Sequence, residues 1–448
     1  MKRSERAIPV DGEWKVALGL CGVVLALTTG AAQAQTAEWA KPIESTNVRL
    51  VGHTDLNGHG NGGEGLALTQ YPDRRRVLFL AHESSPVCFS AVDVSDRSRP
   101  RVLAQVPTVS PDVRCNSLGL SGTTLIVAHQ TTRIGLPNAG VRIYDVANPA
   151  APRELSFFDT SGPHSRGVHF VSFVDGQYAY LATGAKDFTP THPNDDQFLM
   201  IVDVRNPRRP QETGRWWLPG TRTGDDTPPP PRLKIDSGYR MHTLVIDPRR
   251  PTRAYVAWID GGVVILNVAD KSRPTLVGRT AWYPPDTGFL HTALPILSRR
   301  LLVASEEANQ NACADWPKRI ALVDISDETN PRRTAIFPSP TNFDELCKRG
   351  GRFGAHNIHV NRPGPYSRTL ARTVVGSFFN GGVRVYSIEN PGHPEEIGSF
   401  VPAAPPGNTM GAIQINDVYV DEKGFIYAND RVTGGLYILE YTGSVPLR

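Results

Sequence analysis

Seven positions carry a polar side chain in the same register at the start of an otherwise apolar stretch: Glu64, Asn116, His169, His242, His291, His356 and Asn416. Four of them are histidines, and these four are consecutive. Neutral imidazoles converging on one point are a common way of holding Fe, Cu, Mn or Zn. We therefore read His169, His242, His291 and His356 as ligands of one divalent ion. Glu64, Asn116 and Asn416 complete the ring as supporting side chains. The plainer alternative is a polar lining of a water-filled hole, each imidazole hydrogen-bonded to a neighbour. Geometry decides between them, since each ligand nitrogen must come within about 2.0–2.2 Å of the ion.

Further groups fall near the same register. Arg114, Arg166, Arg240 and Arg352 shortly precede the ring positions and are expected to draw in and grip a carboxylate, sulfate or phosphate. Glu83, Glu306 and Asp430 end the following apolar stretches and are expected to orient imidazoles or move protons. Glu306 is the preferred acid/base. His359, beyond His356 and expected on the same side of the chain, is a second base or an extra ligand. For each, a solvent-facing or packed structural role competes with the chemical one. The chain has no Gly-x-Ser-x-Gly elbow, Cys-x-x-Cys pair, phosphate-binding Walker loop or His-Glu-x-x-His helix, so those chemistries are set aside.

Short strands must position these residues. The stretch from Ala355 to Pro391 reads as one unit: β-branched and aromatic runs of four to six residues separated by Gly, Asn and Pro breakers. A fourth strand follows near Glu395. Equivalent third strands recur as Ala91-Val92-Asp93-Val94, Val141-Arg142-Ile143-Tyr144-Asp145-Val146, Met200-Ile201-Val202-Asp203-Val204, Val263-Val264-Ile265-Leu266-Asn267-Val268, Ala321-Leu322-Val323-Asp324-Ile325, Val383-Arg384-Val385-Tyr386 and Tyr437-Ile438-Leu439-Glu440. Seven four-stranded units at a spacing of about 40–70 residues predict an all-β, seven-bladed β-propeller. The last unit lacks a fourth strand, and Val48-Arg49-Leu50-Val51-Gly52 is left over near the start. That strand is expected to complete the last blade and close the ring.

The recurring Asp-Val-x-Asn/Asp-Pro pattern, clearest in Met200-Ile201-Val202-Asp203-Val204-Arg205-Asn206-Pro207, resembles the LVIVD-repeat β-propellers. The resemblance implies the fold and says little about chemistry. In layout the chain is more distantly similar to the selenium-binding/methanethiol-oxidase propellers. Its ligand set is similar to the four-histidine iron centre of the carotenoid-cleavage propellers, with no shared sequence motif.

Residues 1–34 read as a secretory signal: a charged start, an apolar run over 16–27 and Ala32-Gln33-Ala34 before the cut. The run is too short to span a bilayer. Residues 35–448 are expected to form one domain, periplasmic or secreted, with no stable membrane insertion. The formal charge of +4 gives no reason to invoke nucleic acid. Four cysteines follow the signal. Cys88 with Cys115, and Cys313 with Cys347, occupy the same two places in successive units and are the favoured disulfides, against the alternative of four reduced thiols. Residues 186–197 and 219–234 interrupt the repeat and are expected to wall the site or simply to lie on the surface.

The sequence thus supports a metal-dependent enzyme acting on a small, anionic molecule. Oxidoreductase is favoured, a lyase of acidic sugars using His359 or Glu306 is the second reading, and a non-catalytic binding platform is the third. Substrate, metal identity and oligomeric state are not legible.

Overall fold

The computed structural model describes residues 40–232, 234–282, 288–360 and 364–448. The predicted signal, 1–34, lies outside the described residues. Among them the chain forms seven antiparallel sheets, whose strands follow sequence order except where two N-terminal strands join the last two sheets. Neighbouring inner strands touch one another around the ring, which makes a seven-bladed propeller.

Second and third strands, such as Arg76–His82, Phe198–Asp203 and Gly262–Asn267, are buried nearly throughout. They lie between two other blades, so both faces are covered and the sequence runs continuously apolar instead of alternating. Outer strands such as Gln211–Trp216 and Thr275–Thr280 are exposed only at their first two residues and otherwise half-buried or buried.

The aspartate of the repeat has a local role. At the end of the third strand its carboxylate accepts the backbone N–H two residues on: Asp93 from Ser95, Asp145 from Ala147, Asp203 from Arg205 and Asp324 from Ser326, with Asn267 doing the same for Ala269. A second Asp or Asn three residues later repeats the contact, as Asn206 does for Arg208. These paired Asx turns reverse the chain into the outer strand.

A glycine in the outer strand sets the spacing between blades. A Cβ built on Gly52, Gly214 or Gly278 would stand 2.0, 2.3 or 2.1 Å from a backbone carbonyl oxygen of the next blade's turn. No side chain fits there, which is the physical content of the recurring Leu-Val-Gly.

The first two described strands join the last two blades. Val48–Thr54 pairs with Leu436–Tyr441 as the outer strand of blade 7. Pro42–Thr46, not foreseen in the sequence, pairs with Glu395–Pro402 as an extra outer strand of blade 6. The inner segment of blade 6 is irregular, held to the second strand by His356 N–H to Ser377 O (3.0 Å) and His359 N–H to Val375 O (2.9 Å). Disulfides join Cys88 to Cys115 and Cys313 to Cys347. No helix among the described residues is long and apolar enough to cross a membrane.

Replacing Gly278 by Ala should cost about 1–3 kcal/mol by overpacking the blade interface. Thermal unfolding would register it as a lower midpoint, whereas an alanine at exposed Gly407, where no atom lies within 4 Å, tests only the strain of its positive φ.

Candidate metal centre

Each of His169, His242 and His291 is the second residue of its inner strand, in Val168–Phe173, Met241–Val245 and Leu290–Ile296. At each the strand register slips by one residue, between Val168 and Phe170, Met241 and Thr243, and Leu290 and Thr292. Asn416 and Glu64 fall in comparable slips. A bulged residue has no cross-strand partner and its side chain is re-aimed; here it turns to the axis. Successive ring centroids from His169 to His356 are 4.3, 4.2 and 4.3 Å apart.

The Nε2 atoms face one another. Those of His169 and His242 are 2.9 Å apart. Glu64 reaches into the group, with Oε2 3.4 Å from His291 Nε2 and 3.8 Å from His169 Nε2, and Oε1 3.6 Å from His356 Nε2. Glu307 approaches with Oε2 3.8 Å from His242 Nε2 and Oε1 3.7 Å from His356 Nε2. Donor atoms about 2.1 Å from a shared ion stand roughly 2.9–4.2 Å apart, from adjacent to opposite positions, and every one of these separations lies in that interval.

Hydrogen bonds on the far side of the rings fix the tautomers. His356 Nδ1–H donates to the Asn416 carbonyl at 2.7 Å, which leaves its Nε2 a bare lone pair. His169 Nδ1 faces Gln130 Oε1 at 3.0 Å, an oxygen that also accepts from Arg114 at 2.9 and 2.6 Å, so its Nε2 is bare too. His291 Nδ1 is 2.8 Å from the Thr292 hydroxyl. His291 Nε2 and His356 Nε2 are buried without a hydrogen-bond partner. Such atoms cost about 1–3 kcal/mol each, and a cation among them would satisfy both. The donor set therefore fits a metal ion.

Electrostatics agree. Burial holds His169 well below the usual imidazole range, and Arg114 and Arg240 add to this against the attraction of Glu64. Burial does the same to His242 and lowers His356, helped by neighbouring His291. For Glu64, burial opposes ionisation, but His291 and His356 outweigh it and hold the carboxyl well below its ordinary value. Burial thus favours the neutral, metal-binding form of His169, His242 and His356.

A cavity of about 200 Å³ opens beside this centre, and His169, His242, Glu64 and Glu307 reach its wall. All four predicted arginines line it, joined by Arg431. Arg114 and Arg431 both donate to Glu83 Oε1, at 2.7 and 2.6 Å. Arg166 clasps Asp196 at 2.7 and 3.2 Å, and Arg240 reaches the same carboxylate at 3.2 Å. Arg352 donates to Glu307 Oε1 at 3.1 Å. The insertion 186–197 supplies Asp196 and the cavity residue Gln197, so it does wall the site.

Several expected roles move. Glu64 stands among the ligand nitrogens instead of behind them. Asn116 lies behind His169, its amide nitrogen 3.5 Å from Nδ1, whereas Asn416 acts through its carbonyl. Glu306 does not reach the cavity: its oxygens accept from Trp282 Nε1 and Arg319 N, both at 2.8 Å, and burial pushes its carboxyl up to about 7. Glu307 takes its place, because neighbouring strand residues point to opposite sides. The same alternation turns Asp430 into a four-fold backbone acceptor, from Gln414, Val432, Thr433 and Gly434, and gives the cavity Arg431. His359 is three residues past His356, hence on the other side of the chain. Its ring bonds to Arg368 O at 2.7 Å and Val420 N at 3.1 Å.

The repeat that carries these residues recurs among known proteins. Residues 254–281 match the LVIVD repeat family. That LVIVD repeat is the second, third and outer strand of blade 4, including the turn at Asn267 and the close-packed Gly278. Among solved structures, the chain is similar to the β-propeller domain of Myceliophteria thermophila Cps50 (Swd1) (15% identity over 84% of this chain and 96% of that one, TM-score 0.50). It is also similar to U3-55K (12%, 88% and 98%, 0.52) and to Chaetomium thermophilum Raptor (11%, 89% and 30%, 0.54). Identities this low speak for the fold alone. No curated protein sequence matches the chain.

Glu64→Gln removes the only carboxylate in contact with three of the imidazoles and should weaken metal binding about tenfold or more. Glu306→Gln and His359→Phe should retain wild-type metal content while lowering stability. Elemental analysis of the folded variants, set beside their thermal midpoints, checks both halves.

Proposed function

We propose that this protein is an exported, metal-dependent enzyme acting on a small anionic molecule, an oxidoreductase. The observation that carries the reading is the pair of buried, unpartnered imidazole nitrogens, on His291 and His356, facing ionised Glu64. Four imidazoles with one or two carboxylates suit Fe or Cu as well as Mn or Zn; the bound ion would supply electron transfer or Lewis acidity. His169, His242, His291 and His356 hold it, and the Asn416 carbonyl and Gln130 amide fix two of the rings. The arginine-lined mouth draws the anion toward His169 and His242, which line the cavity, and orients it. Glu307 is the cavity carboxylate placed to hold or move a proton, oriented by the Arg352 guanidinium 3.1 Å away. Two disulfides and the signal-like start support export to an oxidising compartment.

A lyase is the second reading, and the observation in its favour is Glu307. A carboxylate beside the ion and an arginine could remove a proton next to a bound carboxylate, the task His359 and Glu306 are not placed to do. A binding platform is the third.

Purified protein should contain about one Fe or Cu per chain, and chelation should abolish substrate-dependent oxygen uptake. Mn or Zn together with formation of an unsaturated acid would move the assignment to lyase. A metal-free protein that still folds and binds anions would leave the platform.

A further inference from the structure

The charges around the cavity are arranged in two separate places. Arg114 of blade 2 and Arg431 of blade 7 share the single carboxylate Glu83. Arg166 and Arg240, of blades 3 and 4, share the single carboxylate Asp196. Arg352 is balanced by Glu307. Each shared pair therefore has one guanidinium charge in excess, and the two pairs lie on different arcs of the ring.

Each place also offers a donor with nothing to donate to. Arg431 Nη1 is buried without a partner near Glu83, whose Oε2 is likewise unpartnered, and Gln197 Nε2 is buried without one next to Asp196 in the chain. Both residues line the cavity. Two sites, each with one excess positive charge and one unsatisfied donor, match a ligand with a carboxylate at each end. Phe289 lines the same cavity and packs edge-on to His242, with centroids 5.7 Å apart, giving an apolar wall for the carbons between. A volume of about 200 Å³ equals roughly seven waters of bulk liquid, space for a short chain.

We infer that the substrate is a small dicarboxylate, one end held at the Arg114–Arg431 pair and the other at the Arg166–Arg240 pair, so that its middle lies over the His169 and His242 edge. The inference rests on the reading of the cavity as an anion site and specifies two anionic groups where that reading required one. It explains why two pairs occur where one would suffice for a monoanion. It also gives the enzyme a means of selecting by length, because only a chain of the right span fills both places.

Calorimetric titration of the metal-loaded protein tests this with succinate, glutarate and adipate against butyrate, valerate and hexanoate. The best diacid should bind at least about tenfold tighter than the monoacid of equal chain length. Arg431→Gln and Arg166→Gln should each reduce diacid affinity to the monoacid level and leave monoacid affinity within about twofold. Gln197→Ala, which changes no charge, should weaken diacids selectively and carries the test if an arginine variant does not fold. Equal binding of diacids and monoacids overturns the two-ended substrate while leaving an anion site in place. Binding of neither overturns the anion site itself, and the dicarboxylate with it.

Discussion

Seven inner strands converging on one axis leave room there for little more than one side chain from each. Everything chemical in this protein depends on that crowding. The register slips at His169, His242, His291 and Asn416 release one residue per strand from the ladder, and closure of the ring forces the released side chains together. Ring centroids 4.2–4.3 Å apart are a consequence of the architecture: remove closure and the imidazoles have no reason to meet. The outer-strand glycines serve the same end from the periphery, since the carbonyls they admit let each blade lean fully on the next.

The cluster is expensive for the fold. Desolvated imidazoles, a buried carboxylate and five arginines around one cavity contribute unsatisfied atoms, among them His291 Nε2, His356 Nε2, Arg431 Nη1 and Gln197 Nε2. Packed apolar residues would be more stable in their place. Unsatisfied buried atoms occur elsewhere in the blades as well, but here imidazoles, carboxylates and guanidinium groups meet around one cavity, the pattern of a site kept for function. The stability is recovered between blades, where third strands are buried on both faces and disulfides tie blade 1 to blade 2 and Cys313 to Cys347.

Much of this was legible in the sequence, because the repeat is a ruler. Once Asp203-Val204-Arg205-Asn206-Pro207 and its copies define a unit, the histidines fall in one register and the seven blades can be counted. The ruler fails where single-residue precision is needed. Glu306 and Glu307 are adjacent, as are Asp430 and Arg431, and an alternating strand sends one of each pair to the axis and the other into the blade; a bulge upstream reverses which. His359 needs no bulge: three residues past His356, it falls on the opposite side by simple alternation. Glu64 could be placed on the ring but not within it, since its depth depends on how far its neighbours' rings extend. The Pro42–Thr46 strand carries no repeat signature, only an edge to pair with.

The first and last described strands are bound at one seam. The strands that lie outermost on blades 6 and 7 come from residues 42–54, while Arg448 accepts from Thr373 N–H at 3.0 Å and donates its own N–H to Thr373 Oγ1 at 3.0 Å. That seam is also where His356 of blade 6 receives its orienting carbonyl from Asn416 of blade 7. A growing chain therefore exposes three of its imidazoles long before the fourth has anything to hold it in place. Assembly of the centre is expected late in folding, since it waits on pairings between segments far apart in the sequence.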